Sequence, residues 1–372
     1  MNQDDHDMDW MNTLPENIRL FVDKLKPLPD FPYHLSKFAW ALRQQSKSKD
    51  DIPRNLAIRA WAMAPDNPNV RNRSNWAIRK NVPMWHFAIA QDYARNVIYE
   101  KALRKYITPE MIVLEIGTGT GILAMLAARA GAKHVYTCEM EPLIAQAAQE
   151  NIDKNGFSDR ITIIAKKSTD LIMGDDLPEK ADLLVSEIVD SGLLQENVLP
   201  VMADAHARLI KTGAMVLPSR ISIRGALVGG PKWMSGCHMG DALGLDLSAF
   251  NRFQPPIHML NGAGRSLDDA LSSVVEIFQF DFKGKCQFHE DHRVCSIPVI
   301  QDGSADAFLQ WIWLDFGDSL EYENKPPLKS CWSPQIHVFP RPIRVRAGDT
   351  FKMVAEHDCR AASIYPSYEH DV

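Results

Sequence analysis

Apolar and polar positions along this chain follow three successive patterns. From residue 14 to 71 small and apolar residues recur at helical spacing between prolines, and LAIRAWAMAPDNPNVR closes on a Pro-Asp-Asn-Pro turn; this predicts helices broken by turns. Between 111 and 217 short, near-continuous apolar runs (MIVLEI, HVYTCE, RITIIAK, ADLLVSE, AMVLP) alternate with helical stretches (ILAMLAARAG, LIAQAAQENIDKNG, VLPVMADAHARLI). Strands that are apolar on both faces and joined by helices predict a parallel, doubly wound α/β sheet, with ligands at the C-terminal strand ends. After Pro218 the helical spacing largely stops. SRISIRGALV, VVEIFQFDF, DAFLQWIWLDF, QIHVFP and FKMVAEH, bounded by Pro, Gly and Asp, predict an antiparallel sheet or barrel. Between the first two of these, WMSGCHMGDALGLDLSAFNRF is irregular and rich in Met, Leu and Phe, an arm that either covers its own barrel or meets a second copy. The expected division is a helical extension over 1–74, an α/β domain over 75–217, and a β domain over 218–372 with an arm at about 231–254.

The α/β stretch carries the first candidate chemistry. MIVLEIGTGTG, residues 111–121, reads as a strand and a tight turn leading into a helix. Gly117, Gly119 and Gly121 allow the backbone, with Thr118 between them, to approach a ligand, and the helix offers unpaired N–H groups there. A dinucleotide fingerprint wants its third glycine three positions after the second, where this chain has Ile122, so the NAD reading loses ground. Glu115, ending the first strand, is placed to receive an ammonium group, and Glu139, ending the second, to take both ribose hydroxyls. Ammonium and ribose without pyrophosphate describe S-adenosylmethionine.

ADLLVSEIVDSGLLQENVLP sets a second group of acids, Glu187, Asp190 and Glu196, at the end of the fourth apolar run and in the loop after it. Two carboxylates beside a methyl donor suit the planar fork of a guanidinium, clasped by paired, charge-assisted hydrogen bonds; general acid–base work is the competing role. Guanidinium nitrogens are poor nucleophiles because the charge is delocalised, so holding the cation between anions and in line with the donor is worth more than activating it. Upstream, Asp92 and Arg95 lie three apart on one helical face, where they can support each other as an ion pair.

Composition narrows the picture further. At 372 residues with 45% apolar content, two or three domains are expected, and a formal charge of −6 argues against a nucleic-acid binder while suiting a basic substrate. The six cysteines are scattered without CxxC pairs, which excludes an obvious metal site. The acidic start MNQDDHDMDWMN has no apolar core and no run approaches eighteen apolar residues, so no membrane span and a cytoplasmic protein are expected.

With these motifs in order, the chain resembles the protein arginine N-methyltransferases from about Trp85 to the C-terminus. The resemblance is carried by His86, Ile89, Asp92 and Arg95, then E-x-G-x-G-x-G, Glu139, Ser-Glu with a second Glu at 196, and Trp332. It implies a Rossmann-like S-adenosylmethionine domain, a β-barrel and a dimerisation arm, hence a homodimer, with S-adenosylhomocysteine as the spent cofactor. It implies that Arg95 binds the cofactor carboxylate, with His86 nearby, that Glu139 binds ribose, and that Lys167, Ser168 and Thr169 lie on the adenine side. Glu187 and Glu196 would hold the arginine of a protein or peptide substrate, with Asp92 part of the catalytic set and Ile89, Asp190, Cys331 and Trp332 shaping the substrate pocket. Departures from the family pattern carry their own expectations. The loop after Glu187 reads I-V-D-S, and an acid at Asp190 is similar to the branches that monomethylate or dimethylate symmetrically. Ser330-Cys331-Trp332 stands where the family has Thr-His-Trp, so the histidine that would pair with Asp92 is absent. The N-terminal helices resemble one degenerate tetratricopeptide-type repeat, a packing module or a partner-binding element. A small-molecule guanidine or amine as substrate, or a cofactor-binding scaffold that has lost turnover, are the alternatives.

Overall fold

The computed structural model describes residues 9–45, 51–79, 82–260, 265–284 and 286–367, so the acidic opening stretch 1–8 lies outside the described residues. The chain forms two compact units, Met1–His86 and Phe87–Val372. In the first, helices α1 (Glu16–Leu25), α2 (Phe31–Gln45), α3 (Asp51–Met63) and α4 (Pro68–Ile78) close on a core of Val22, Leu35, Ala39, Leu56, Ala60 and Val70. Asn67 caps α4, its side chain accepting from the N–H groups of Asn69 and Val70, with Pro68 in the first turn where its missing N–H costs nothing. Val70, Ser74 and Ala77 turn inward along α4, so residues 75–86, grouped above with the α/β domain, belong to this helical unit. The division falls inside helix α5 (Trp85–Gln91).

The second unit begins with α6 (Tyr93–Tyr106) and a five-stranded sheet in the order β3-β2-β1-β4-β5. These strands are β1 (Ile112–Ile116), β2 (His134–Cys138), β3 (Ile161–Ile164), β4 (Ala181–Ser186) and β5 (Ile210–Leu217), and all four pairings are parallel. Between strands run α7 (Ile122–Arg129), α8 (Pro142–Lys154) and α9 (Val198–Arg208). The order reverses between β1 and β4, and in a doubly wound sheet the crevice beyond such a point receives ligands.

From Arg220 the chain turns antiparallel. β6 (Arg220–Val228) leads into the arm, which holds the short helix α10 (Pro231–Met234), the hairpin of β7 (Asp241–Ala242) and β8 (Leu245–Asp246), and a 3₁₀ turn at Ser248–Phe253. There follow β9 (Ile257–Met259), β10 (Val275–Asp281), β11 (Asp291–Pro298), β12 (Gly303–Asp315), β13 (Glu321–Glu323), β14 (Gln335–Val345), β15 (Thr350–His357) and β16 (Ala362–Pro366). One sheet runs β10-β6-β12-β14-β9 with β13 paired to β12; the other is β11-β15-β16. Phe278, Phe308 and Ile312 of the first sheet share a core with Ile297, Met353 and Ile364 of the second, which gives the β region its barrel-like closure. The architecture is thus the expected one: helical N-terminal part, Rossmann-like sheet, barrel-like β domain. Among the described residues no helix is long and apolar enough to cross a membrane.

Candidate active site

The glycine turn follows β1 directly. Gly117, Gly119 and Gly121 take φ of 92°, 52° and 82°, left-handed values that a side chain would strain. A Cβ on Gly117 would also stand 2.9 Å from Ile188 Cγ2. The turn is tied to the second strand: Gly117 and Thr118 donate their N–H groups to the Cys138 carbonyl at 3.1 and 3.2 Å, and Gly119 N–H donates to Glu139 Oε2 at 3.1 Å. Glu139 Oε1 accepts from Glu141 N–H at 3.0 Å, and burial raises the pKa of this carboxyl. Two of a carboxylate's roughly four acceptor positions are therefore used, leaving room for a diol. Ser168 and Thr169 lie in a 3₁₀ turn beyond β3, where Arg208 draws in both of their carbonyls at 3.3 and 3.2 Å.

Two of the expected ligand contacts are turned inward instead. Glu115 pairs in register with Thr137 across β1 and β2, so alternation along the strand aims its carboxyl at that neighbour. Thr137 Oγ1 donates to Glu115 Oε2 at 2.6 Å and lies 2.6 Å from Thr118 Oγ1. Glu115 is 1% exposed and burial pushes its carboxyl up to about 8. Glu115 and the Thr118 hydroxyl thus brace the turn from beneath, where the sequence suggested an ammonium receptor and a cofactor contact. His86 ends the N-terminal unit, its ring 3.8 Å from that of Trp85, and is described with that unit alone.

Beyond β4 the clasp takes shape. Arg95 Nη2 donates to Glu187 Oε2 at 2.7 Å, the two side chains being 2% and 6% exposed. The Arg95 guanidinium also donates to Asn96 Oδ1 at 2.5 Å and lies 4.9 Å from the Tyr99 ring centre, whose own hydroxyl donates to the Ser186 carbonyl at 3.0 Å. Two atoms of this pair are left over: Arg95 Nε and Glu187 Oε1 are buried without a partner among the described residues. Burial pushes Glu187 up to about 7, against the pull of Arg95. Glu196 has no hydrogen bond among the described residues, and burial, followed by repulsion from Glu187, Asp190 and Glu139, pushes it up to about 8. Asp190 is otherwise engaged: its two oxygens accept from Gly192 and Gln195 N–H at 3.0 and 3.1 Å and knot the 187–196 loop, where the sequence suggested a substrate contact.

Asp92 does not wait for a missing histidine. Its Oδ1 caps α6 by accepting Arg95 N–H at 3.0 Å, and its Oδ2 accepts the N–H of Cys331 at 2.8 Å and the Tyr322 hydroxyl at 2.9 Å. Burial opposes its charge, but the N–H groups of Arg95 and Cys331 and the Tyr322 hydroxyl outweigh it and hold the carboxyl below its usual range. Trp332, 4% exposed, donates its indole N–H to the Val189 carbonyl at 2.9 Å, which fastens the 330–332 stretch to the glutamate loop. Ile89, half-buried on α5, contributes its carbonyl to Asp92 N–H at 3.2 Å. Sequence reasoning missed Tyr99 and Tyr322: the first follows an apolar pair, where a tyrosine reads as core, and the second stands between two glutamates in a stretch with no strand pattern.

Fold, glycine turn and strand-end acids together define an S-adenosylmethionine-dependent methyltransferase. The residues fit that cofactor: an orphaned buried guanidinium nitrogen suits a carboxylate, and Glu139 keeps free lone pairs for a ribose. The family model for ribosomal protein L11 methyltransferase (PrmA) matches residues 99–222, the span of the parallel sheet. The chain is 37% identical over 280 residues to an "Arginine N(omega)-methyltransferase" of Streptomyces achromogenes subsp. streptozoticus, covering 74% of this chain and 76% of that protein. It is 32% identical over 319 residues to "Protein arginine N-methyltransferase 7" of Drosophila grimshawi, covering 72% of this chain and 44% of that protein, so it spans about half the length of the Drosophila relative. Among solved structures it resembles the Trypanosoma brucei PRMT1 enzyme-prozyme heterotetrameric complex with AdoHcy (TM-score 0.66, 22% identity, 77% of this chain and 93% of that one). It also resembles Arabidopsis thaliana protein arginine methyltransferase 10 (TM-score 0.62, 19% identity, 77% and 92%). The chain belongs to the arginine N-methyltransferase family.

Proposed function

We propose that this chain transfers a methyl group from S-adenosylmethionine to a guanidino nitrogen of arginine in a protein or peptide, leaving S-adenosylhomocysteine. The observation that carries the reading is that Glu187 already binds a guanidinium, that of Arg95, at 2.7 Å in a buried setting beside a second glutamate. The cofactor supplies an electrophilic sulfonium methyl; the protein supplies position and charge. Arg95 would hold the cofactor carboxylate, which would leave Glu187 together with Glu196 to receive the substrate cation. Holding the guanidinium between two anions biases its charge away from the attacking nitrogen, and fixed orientation alone can contribute on the order of 7–11 kcal/mol. After transfer the product sheds a proton to solvent, since Asp92 is held ionised by bonds to the fold. Glu139 takes the ribose, the turn at 117–121 the cofactor backbone, and Ser168 and Thr169 the adenine side; Ile89, Cys331 and Trp332 line the arginine pocket.

The domain roles follow: residues 87–217 bind the cofactor, 218–372 flank the substrate, and the helical unit that ends at His86 is an extension. Asp190 and the helical extension favour monomethyl or symmetric dimethyl product. The protein works in the cytoplasm as a homodimer through the arm at 231–254, whose Leu243, Phe250 and Phe253 are 101%, 58% and 71% exposed. A second reading, free arginine or another small guanidine as acceptor, is favoured by the name of the Streptomyces relative, which specifies arginine without a protein. Mass spectrometry after incubation with the donor and either an arginine-rich peptide or free arginine decides between them. A mass gain of about one methyl group on peptide arginine supports the first reading and on free arginine the second; donor binding without transfer to either would leave only a scaffold.

A further inference from the structure

β13 is three residues, Glu-Tyr-Glu, and its alternation is used on both faces. Trp313 Nε1 donates to Glu321 at 2.8 Å and Trp311 Nε1 to Glu323 at 2.7 Å, which turns Tyr322 to the opposite side, 3% exposed. There the Tyr322 hydroxyl reaches Asp92 Oδ2 at 2.9 Å and lies 2.6 Å from Ser330 Oγ, while its ring meets Trp332 edge-on with centroids 5.6 Å apart. Asn324 holds the same stretch, donating Nδ2–H to the Trp332 carbonyl at 3.0 Å. One side chain therefore touches the residue that caps the Arg95 helix and the residue that is fastened to the 187–196 loop.

We propose that Tyr322 is a positioning residue for methyl transfer: through Asp92 and Trp332 it sets the spacing between the Arg95 helix and the glutamate loop across the crevice. This rests on the arginine-methylation reading above. Asp92 Oδ2 accepts from Tyr322, Ser330 and the Cys331 N–H, which fills that oxygen, while Oδ1, which takes the Arg95 N–H, keeps one lone pair. A histidine side chain at 331 would have to displace one of the donors already on Oδ2. Burial raises the Tyr322 hydroxyl, which stays protonated as a donor and does not serve as a base. Its contribution is geometric.

Tyr322→Phe removes the hydroxyl and keeps the ring. The variant is expected to lose about tenfold in kcat, the scale of one hydrogen bond to a charged group, with KM for the donor within about twofold. Hydrogen exchange at amides of the 187–196 loop should quicken while that of β1 stays as in the parent. Cys331→His added to Tyr322→Phe should recover part of the loss in kcat. The proposal is overturned by Tyr322→Phe with unchanged exchange in the 187–196 loop, or by a loss of kcat accompanied by equally faster exchange in β1, which would mean general loosening. If the parent transfers no methyl group to any arginine acceptor, the functional reading fails and exchange in the 187–196 loop alone decides the positioning claim.

Discussion

Glu196 concentrates the electrostatic argument in one side chain. It is a carboxylate without a hydrogen bond among the described residues, pushed by burial and by neighbouring acids up to about 8, so the cofactor-free chain keeps it largely protonated at neutral pH. A folded pKa raised above the unfolded value contributes stability that is complete below about pH 4.5 and lost as pH climbs through about 8. Glu196→Gln lacks that titration. Its melting temperature is expected to gain on that of the parent steadily between about pH 5 and about pH 9, measured by calorimetry in parallel buffers; a gap that is constant or narrows with pH would contradict the burial argument. The positions of Glu187 just after a strand and of Arg95 on the preceding helix were legible in the sequence from the apolar runs around them. Their mutual bond was not legible. Strand spacing places residues at a crevice but does not say which ion partners which when the ligand is away. The way Glu115 faces was not legible for a related reason: position at a strand end fixes the height of a side chain, while alternation and the Thr137 opposite decide its direction.

At the scale of elements, the turn from β1 to α7 and the loop after β4 are made for each other. Gly117 sits at φ 92° with Ile188 of the glutamate loop 2.9 Å from where its Cβ would be, so a methyl group there meets both a backbone strain and a collision. Gly117→Ala is expected to displace Ile188, and with it Glu187, and to weaken donor binding at least tenfold by titration calorimetry, about 1.4 kcal/mol or more. Donor affinity equal to that of the parent would show that the turn has slack. The knot of Asp190 onto Gly192 and Gln195 belongs to the same scale, since it fixes the loop that carries Glu196. An acid in a loop reads from sequence as a candidate contact; only the backbone N–H groups around it reveal that it is spent on the loop's own shape.

Over the whole chain, periodicity gave away the order of the architecture: helices first, then parallel strands with apolar faces on both sides, then antiparallel strands. The long β12 and β14 were legible, whereas β11, β13 and β16 were not, because HRVCSIP, EYE and ASIYP are short or only partly apolar and gain their pairing from neighbours distant in sequence. The helical unit reaches His86 because Ala77 packs inward, a contact invisible to a proline-based boundary. The irregular arm came through as irregular, and its Leu243, Leu245 and Phe253 lie open to solvent, an apolar face larger than isolated surface residues require. Replacing Leu243 and Phe253 together by Asp is expected to convert a dimer to a monomer in sedimentation equilibrium with the melting temperature little changed; a monomeric parent would end the homodimer proposal.

The most direct test of the account sets Glu196→Gln beside the parent with saturating S-adenosylmethionine and an arginine acceptor. Donor Kd is predicted to stay within about threefold while kcat falls by about a hundredfold or more, because the substitution keeps shape and removes one side of the charge clasp. Undiminished turnover, or a loss of donor affinity as large as the loss of rate, would contradict it.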